Sequence, residues 1–107
     1  MAKLLSQTLA ADGSTNAIVW KGSGKGTVIF YGTFGSGTIT GHVSSDSGTT
    51  YVPLKDTTLT AISTNAAAMF NFEINGNEAP KASDIRVRFT LASSTSPSLT
   101  VDVFDNR

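Results

Sequence analysis

Apolar residues in this chain return at every second position far more often than at every third or fourth. In the stretch 85–91, Ile85, Val87, Phe89 and Leu91 alternate with Arg86, Arg88 and Thr90, the period of a β-strand with one buried face and one wet face. Leu99, Val101 and Val103 repeat the pattern against Thr100 and Asp102, and the intervening SSTSPS at 93–98 suits a hairpin-like connection between two paired strands. Further short runs rich in Val, Ile, Thr and Phe fall at 3–9, 17–21, 26–34, 38–44, 51–54, 58–62 and 66–74, each closed by Gly, Asn, Asp or Ser. Ala66 to Met69 on its own would permit one turn of helix, but Phe70, Phe72 and Ile74 alternating with Asn71 and Glu73 return the run to strand.

This pattern predicts an all-β chain of about eight or nine short strands, at the turn spacing of a single-domain antiparallel β-sandwich, jelly-roll-like in type. No repeat, linker or shift in composition divides residues 1–107, and NGNEAPKASD at 75–84 is the longest polar connection. Residues 1–10 have two readings: the first strand of the sandwich itself, or an N-terminal arm whose apolar run 3–9 adds to the edge of another sheet.

At 107 residues the chain can bury one core without covalent staples. Lys plus Arg number 8 and Asp plus Glu number 8, scattered singly, which disfavours nucleic-acid binding and a polybasic membrane contact, since both need a concentrated positive footprint. With 15% charged residues, solubility must rest on hydroxyls and on covering apolar surface with partners. There is no cysteine, hence no disulfide, thiol nucleophile or thiolate metal site. The start, MAKLLSQTLAADGS, is interrupted by Ser6 and Gln7 before it reaches signal-peptide length, and no run approaches the ~20 apolar residues of a membrane span. Synthesis in a cytoplasm and a soluble product are expected.

Three segments invite a chemical reading. SSDSGTTY at 44–51 fits Ser-x-Asp-x-Gly-x-Thr-aromatic and resembles the Asp-box of sialidases and other β-propellers. A propeller needs several blades of roughly 40–50 residues each, too many for this length, and the sialidase arginine cluster has no counterpart in Arg86, Arg88 and Arg107. The segment is therefore read as a structural turn: Asp46 accepts backbone amides, Gly48 supplies a positive φ, and Tyr51 packs beneath, joining 38–44 to 51–54. GSGKGT at 22–27 lacks the P-loop spacing, with Val19 in the first glycine place and Gly26 after the lysine; it is read as a flexible hairpin between Trp20 and Val28. His42 is the only histidine, and Asp12, Asp46, Asp56 and Asp84 stand singly in or beside turns. Neither a metal site nor a catalytic constellation is expected, and no cofactor is implied. Trp20 and the six phenylalanines are core candidates, with Trp20 and Tyr31 as stacking platforms in the alternative reading of a carbohydrate-binding module.

GTVIFYGTFGSG, SSDSGTTYVPL and DIRVRFTLASSTSPSLTVDVFD together resemble small structural proteins of tailed-phage virions. The matching positions are 27–34, 46–48, 51–54 and 85–88. The resemblance implies a capsid decoration (cement) protein, or another head, neck or tail component, with no enzymatic activity. It further implies a homotrimer assembled in the host cytoplasm and located on the capsid surface, with the major capsid protein as partner. Leu4, Leu5, Leu9, Trp20 and Tyr31 are the candidate interface residues, and a glycan is the ligand of the alternative reading.

Overall fold

A computed structural model describes residues 2–20, 24–74 and 85–105. The polar connection 75–84 with Asp84, the GSGKGT positions 22 and 23, Lys21 and Arg107 lie outside the described residues. The described residues form ten strands and no helix: β1 (Ala2–Leu9), β2 (Gly13–Ser14), β3 (Ile18–Val19), β4 (Gly24–Thr33), β5 (Thr38–Ser44), β6 (Val52–Pro53), β7 (Ser63–Thr64), β8 (Ala68–Ile74), β9 (Arg86–Ala92) and β10 (Ser98–Asp105). Sheet I has the order β1-β10-β4-β8; sheet II has the order β2-β9-β5-β6, with β3 also on β9 and β7 also on β5. Every pairing is antiparallel.

The ten segments fill eight positions, because β2 and β3 lie end to end along β9, and β6 and β7 along β5. Numbered along the chain, these positions run 1-8-3-6 in sheet I and 2-7-4-5 in sheet II, the interleaved order of a jelly roll. Each split has a local cause. From Ser14↔Thr90 to Ile18↔Val87 one strand advances four residues and its partner three, a bulge. There the buried Thr15 donates its N–H to Phe89 O at 2.8 Å and accepts the Phe89 N–H on Oγ1 at 3.2 Å. At the other edge the chain leaves β5 after Leu54, whose N–H reaches Gly41 O, and returns at Ile62, whose carbonyl accepts the Gly41 N–H. The excursion between them is a finger closed by the bridge Lys55↔Ala61, and it touches sheet I where Thr57 N–H donates to Asn71 O at 3.0 Å.

Three expectations about connections are corrected. β9 and β10 do not pair: β9 sits in sheet II beside β5, and β10 in sheet I between β1 and β4, so the SSTSPS segment crosses between sheets. Both strands do bury their predicted apolar faces, but those faces meet across the core instead of side by side. β3 and β4 likewise belong to different sheets, so Trp20 and Val28 do not flank a hairpin. The predicted strand 58–62 is mostly the tip and return of the finger, where Leu59 takes φ 65° and stands 79% exposed. Residues 2–9 run along β10 from Ala2↔Asp105 to Leu9↔Leu99, with a register shift between Lys3 and Leu5, as an edge strand of sheet I.

The inner faces supply the core. Trp20, Phe30, Phe72 and Phe89 are wholly buried. The Trp20 and Phe72 rings lie 5.3 Å apart, and Phe30 meets Phe89 edge to face at 5.5 Å, tying sheet I to sheet II. Aromatic pairs of this kind contribute about 0.5–1.5 kcal/mol beyond area burial. The first pair depends on a missing side chain: a Cβ on Gly26 would lie 2.5 Å from Trp20 Cη2 and 2.6 Å from Phe72 Cζ. Both rings are fully buried, so a retreat would have to displace neighbours in the core. Gly26→Ala is expected to destabilise the fold by about 1–3 kcal/mol through overpacking, read as a lower urea midpoint with an unchanged slope; an unchanged midpoint would show that the rings relax freely.

Candidate functional site

With the apolar side chains turned inward, chemistry is left to the two outer faces and the turns that frame them. The turn after β5 is built from Ser44 and Asp46. Ser44 Oγ donates to Asp46 Oδ1 at 2.6 Å and accepts the Asp46 and Gly48 amides at 3.2 and 3.0 Å. Asp46 Oδ1 also accepts the Thr49 and Thr50 amides at 3.1 and 2.8 Å. Gly48 takes φ 93°, and a Cβ there would lie 3.2 Å from the Tyr51 hydroxyl. The Asp, Gly and aromatic roles expected from the sequence are thus filled by Asp46, Gly48 and Tyr51, and β5 pairs with β6 through His42↔Pro53 and Val43↔Val52. The Ser44 hydroxyl and the Thr50 amide hold the Asp46 carboxyl down at about 2.

Two further aspartates do similar work that the sequence reading did not assign. Asp56 Oδ1 accepts the Thr58 and Thr60 amides at 2.8 and 3.1 Å, closing the finger. Asp12 accepts the Ser94 hydroxyl and amide, fastening the β1–β2 corner to the β9–β10 crossing. Hydrogen bonds led by those from Thr58 and Ser94 lower both carboxyls below the ordinary range. A DTTLT turn with leucine in the left-handed region carries none of the glycine signals that reveal the turn at 44–51.

The outer face of sheet I centres on Asp102. It is 7% exposed although it points away from the core, because neighbours cover it. Ser6 donates to Oδ1 at 2.6 Å, Tyr31 donates its hydroxyl to Oδ2 at 3.0 Å, and Lys3 Nζ stands 4.0 Å from Oδ2. The Asp102 hydrogen bond, then burial, raises the Tyr31 pKa. Across the sheet, Asp102 pairs with Ile29 and Ile29 with Met69; Met69 is 61% and Tyr31 44% exposed. Leu4, at the register shift of β1, is also exposed, and Lys3 lies 5.6 Å from the Phe104 ring centre.

The candidate interface residues therefore separate. Leu4 and Tyr31 are on the surface of sheet I. Leu5 is half-buried and packs against the core, and Leu9 is buried in it. Trp20 has no exposed surface, so it offers no stacking platform: its large ring fills the space over Gly26 that a side chain would otherwise occupy.

The outer face of sheet II carries a different constellation. His42 on β5 lies directly opposite Arg88 on β9, and the Arg88 guanidinium stacks on the Tyr51 ring, 3.8 Å from its centre. Both His42 and Arg88 are half-buried, and His42 Nδ1 and Arg88 Nε are buried without a hydrogen-bond partner. Burial, and then the Arg88 charge, push the His42 pKa below its ordinary value. No group of three or more His, Asp or Glu side chains poised for a metal occurs among the described residues.

The Asp46 turn gives a pH signature. A depressed carboxyl contributes stability that is present above its unfolded value of 3.8 and is lost as pH falls through about 2. Asp46→Ala is expected to lower the urea midpoint at pH 7, and its gap from the unsubstituted chain is expected to narrow as pH falls from about 4 to about 2. A gap constant with pH would assign the effect to shape alone.

No family model matches this chain, and neither a curated protein nor a solved structure does.

Proposed function

We propose that this protein is a structural component of a virion, of the capsid decoration type: a jelly-roll module that binds a protein shell and stabilises it by repeated contacts rather than by chemistry. The observation that carries this reading is the outer face of sheet I. Met69 and Tyr31 are exposed there, around a row that includes Ile29. Large apolar side chains gathered on one sheet face characterise protein contact surfaces. The sequence resemblance to small phage virion proteins points the same way, and many copies on a lattice convert a modest single contact into firm attachment.

A homotrimer is part of the proposal, as is assembly in the host cytoplasm with the major capsid protein as partner. The purified chain is expected to show about three times its 11.1 kDa mass in solution and to co-sediment with shells of a tailed-phage major capsid protein. A strictly monomeric chain that stays in the supernatant would rule the role out.

A second reading, a glycan-binding module, is favoured by one feature only. The exposed Tyr31 ring lies beside a carboxylate held by Ser6, an aromatic platform next to an acceptor for sugar hydroxyls. With Trp20 in the core, Tyr31 carries this reading alone. It requires a glycan-array signal that Tyr31→Ala abolishes; a blank array removes it.

A further inference from the structure

The strands of sheet II contain no carboxylate at all: β2, β3, β5, β6, β7 and β9 include Arg86, Arg88 and His42 but neither Asp nor Glu. Sheet I holds Glu73, Asp102 and Asp105 against Lys3 and Lys25. The strands of sheet II thus hold two arginines and no acid, although Asp46 and Asp56 stand in the connections beside them. Arg88 is the sharpest part of this asymmetry. The residue is half-buried with its guanidinium carbon 3.8 Å from the centre of the Tyr51 ring, and among the described residues it meets no carboxylate.

A cation withdrawn from water without an opposite charge is costly, and so is a buried donor with no acceptor. Arg88 bears part of both costs at its buried Nε, and its guanidinium, set over the Tyr51 ring, is a fork of donors that takes a carboxylate in two parallel hydrogen bonds. His42, facing it across the β5–β9 pair, is the second polar group beside that fork, and Nδ1 has no partner.

We propose that the outer face of sheet II, at Arg88, His42 and Tyr51, is a docking site for an acidic segment of a protein partner, which inserts an Asp or Glu carboxylate against the Arg88 guanidinium. The assignment rests on the proposed function and adds to it a second contact, on the sheet opposite the apolar face. Charge complementarity selects the occupant. The favoured partner brings carboxylates, the groups that the strands of this sheet lack.

The probe is a hexaglutamate peptide titrated into the isotopically labelled full chain at low salt, with inorganic phosphate and a short oligothymidine as parallel arms. Hexaglutamate is expected to move the side-chain resonances of Arg88 and His42, with an affinity that falls as salt rises. Arg88→Gln is expected to weaken binding at least about tenfold and Arg88→Lys by less, since it keeps charge but loses the fork. Lys25→Gln, on sheet I, should leave binding unchanged. His42→Gln leaves the Arg88–Tyr51 stack in place and is expected to weaken binding several-fold, so the test does not depend on the fold tolerating a change at Arg88. The proposal is overturned if the two resonances stay fixed with hexaglutamate, if phosphate or oligothymidine moves them more strongly, or if both Arg88→Gln and His42→Gln bind as tightly as the parent. Shells that retain the chain while hexaglutamate fails would sink this face and leave the decoration role standing; loss of shell binding with intact peptide binding would do the reverse.

Discussion

The contact on which the architecture depends is the one between Trp20 and Phe72 across Gly26. Trp20 follows β3 in sheet II, and Phe72 belongs to β8 on the edge of sheet I. Their rings meet only because β4 has no side chain at Gly26. With that void filled by aromatic surface, the inward residues of β10 and β4 close on those of β9 and β5. The Phe30–Phe89 contact repeats the arrangement nearer the middle of the core. Everything functional follows from the other half of the alternation. A strand that commits every second residue to this core commits the rest to an outer face, and the outer faces are where this protein has free chemistry.

What was legible in the sequence was what is local. The alternation at 85–91 and 99–103 identifies inward and outward residues correctly, and the run 38–44 coincides with β5. The Asp46 turn was legible for the same reason: its donors and acceptors lie within seven positions, from Ser44 to Thr50. Strand neighbours were not legible. A period of two says which side of a strand is buried, but the burial is equally good whether two consecutive strands lie side by side or face each other across the core. The crossing after β9 looked like a hairpin because Ser, Thr and Pro serve both connections, and only the non-local ladder, such as Thr95 N–H to Gly35 O, distinguishes them. The core reading of Trp20 is the one its burial matches, and its alternative roles as a stacking platform and interface residue fail because its neighbour Gly26 acquires meaning only once two sheets are stacked.

The Asp56 finger shows the limit of turn grammar from the opposite side. Its backbone requires a left-handed residue, and the chain supplies Leu59. That is a conformation costing a branched side chain of order 1 kcal/mol. The cost is offset by amides collected on Asp56 and by the Thr57 link to β8. The finger thereby gives the outer edge of β8 a backbone partner, which blunts one of the edges that an open sheet would otherwise offer to other chains. β1, at the far edge of sheet I, is treated differently: a register shift and Lys3 interrupt it, both devices that discourage a further strand from adding there.

Edges managed in these ways leave the faces as the natural contact surfaces, and the two faces are not equivalent. Sheet I presents apolar side chains around a carboxylate already held by Ser6 and Tyr31, so its polar group is satisfied and its attraction for a partner is largely hydrophobic. Sheet II presents a guanidinium and an imidazole whose hydrogen-bonding capacity is partly unused, so its attraction is electrostatic and directional. A non-directional face tolerates small shifts of a partner, whereas a planar charge pair fixes register. A module with both, on opposite sides of one sandwich, meets two neighbours by two different kinds of attraction. The net charge of zero conceals this difference, which appears only when the strand order places Arg86 and Arg88 on a sheet whose strands hold no acid.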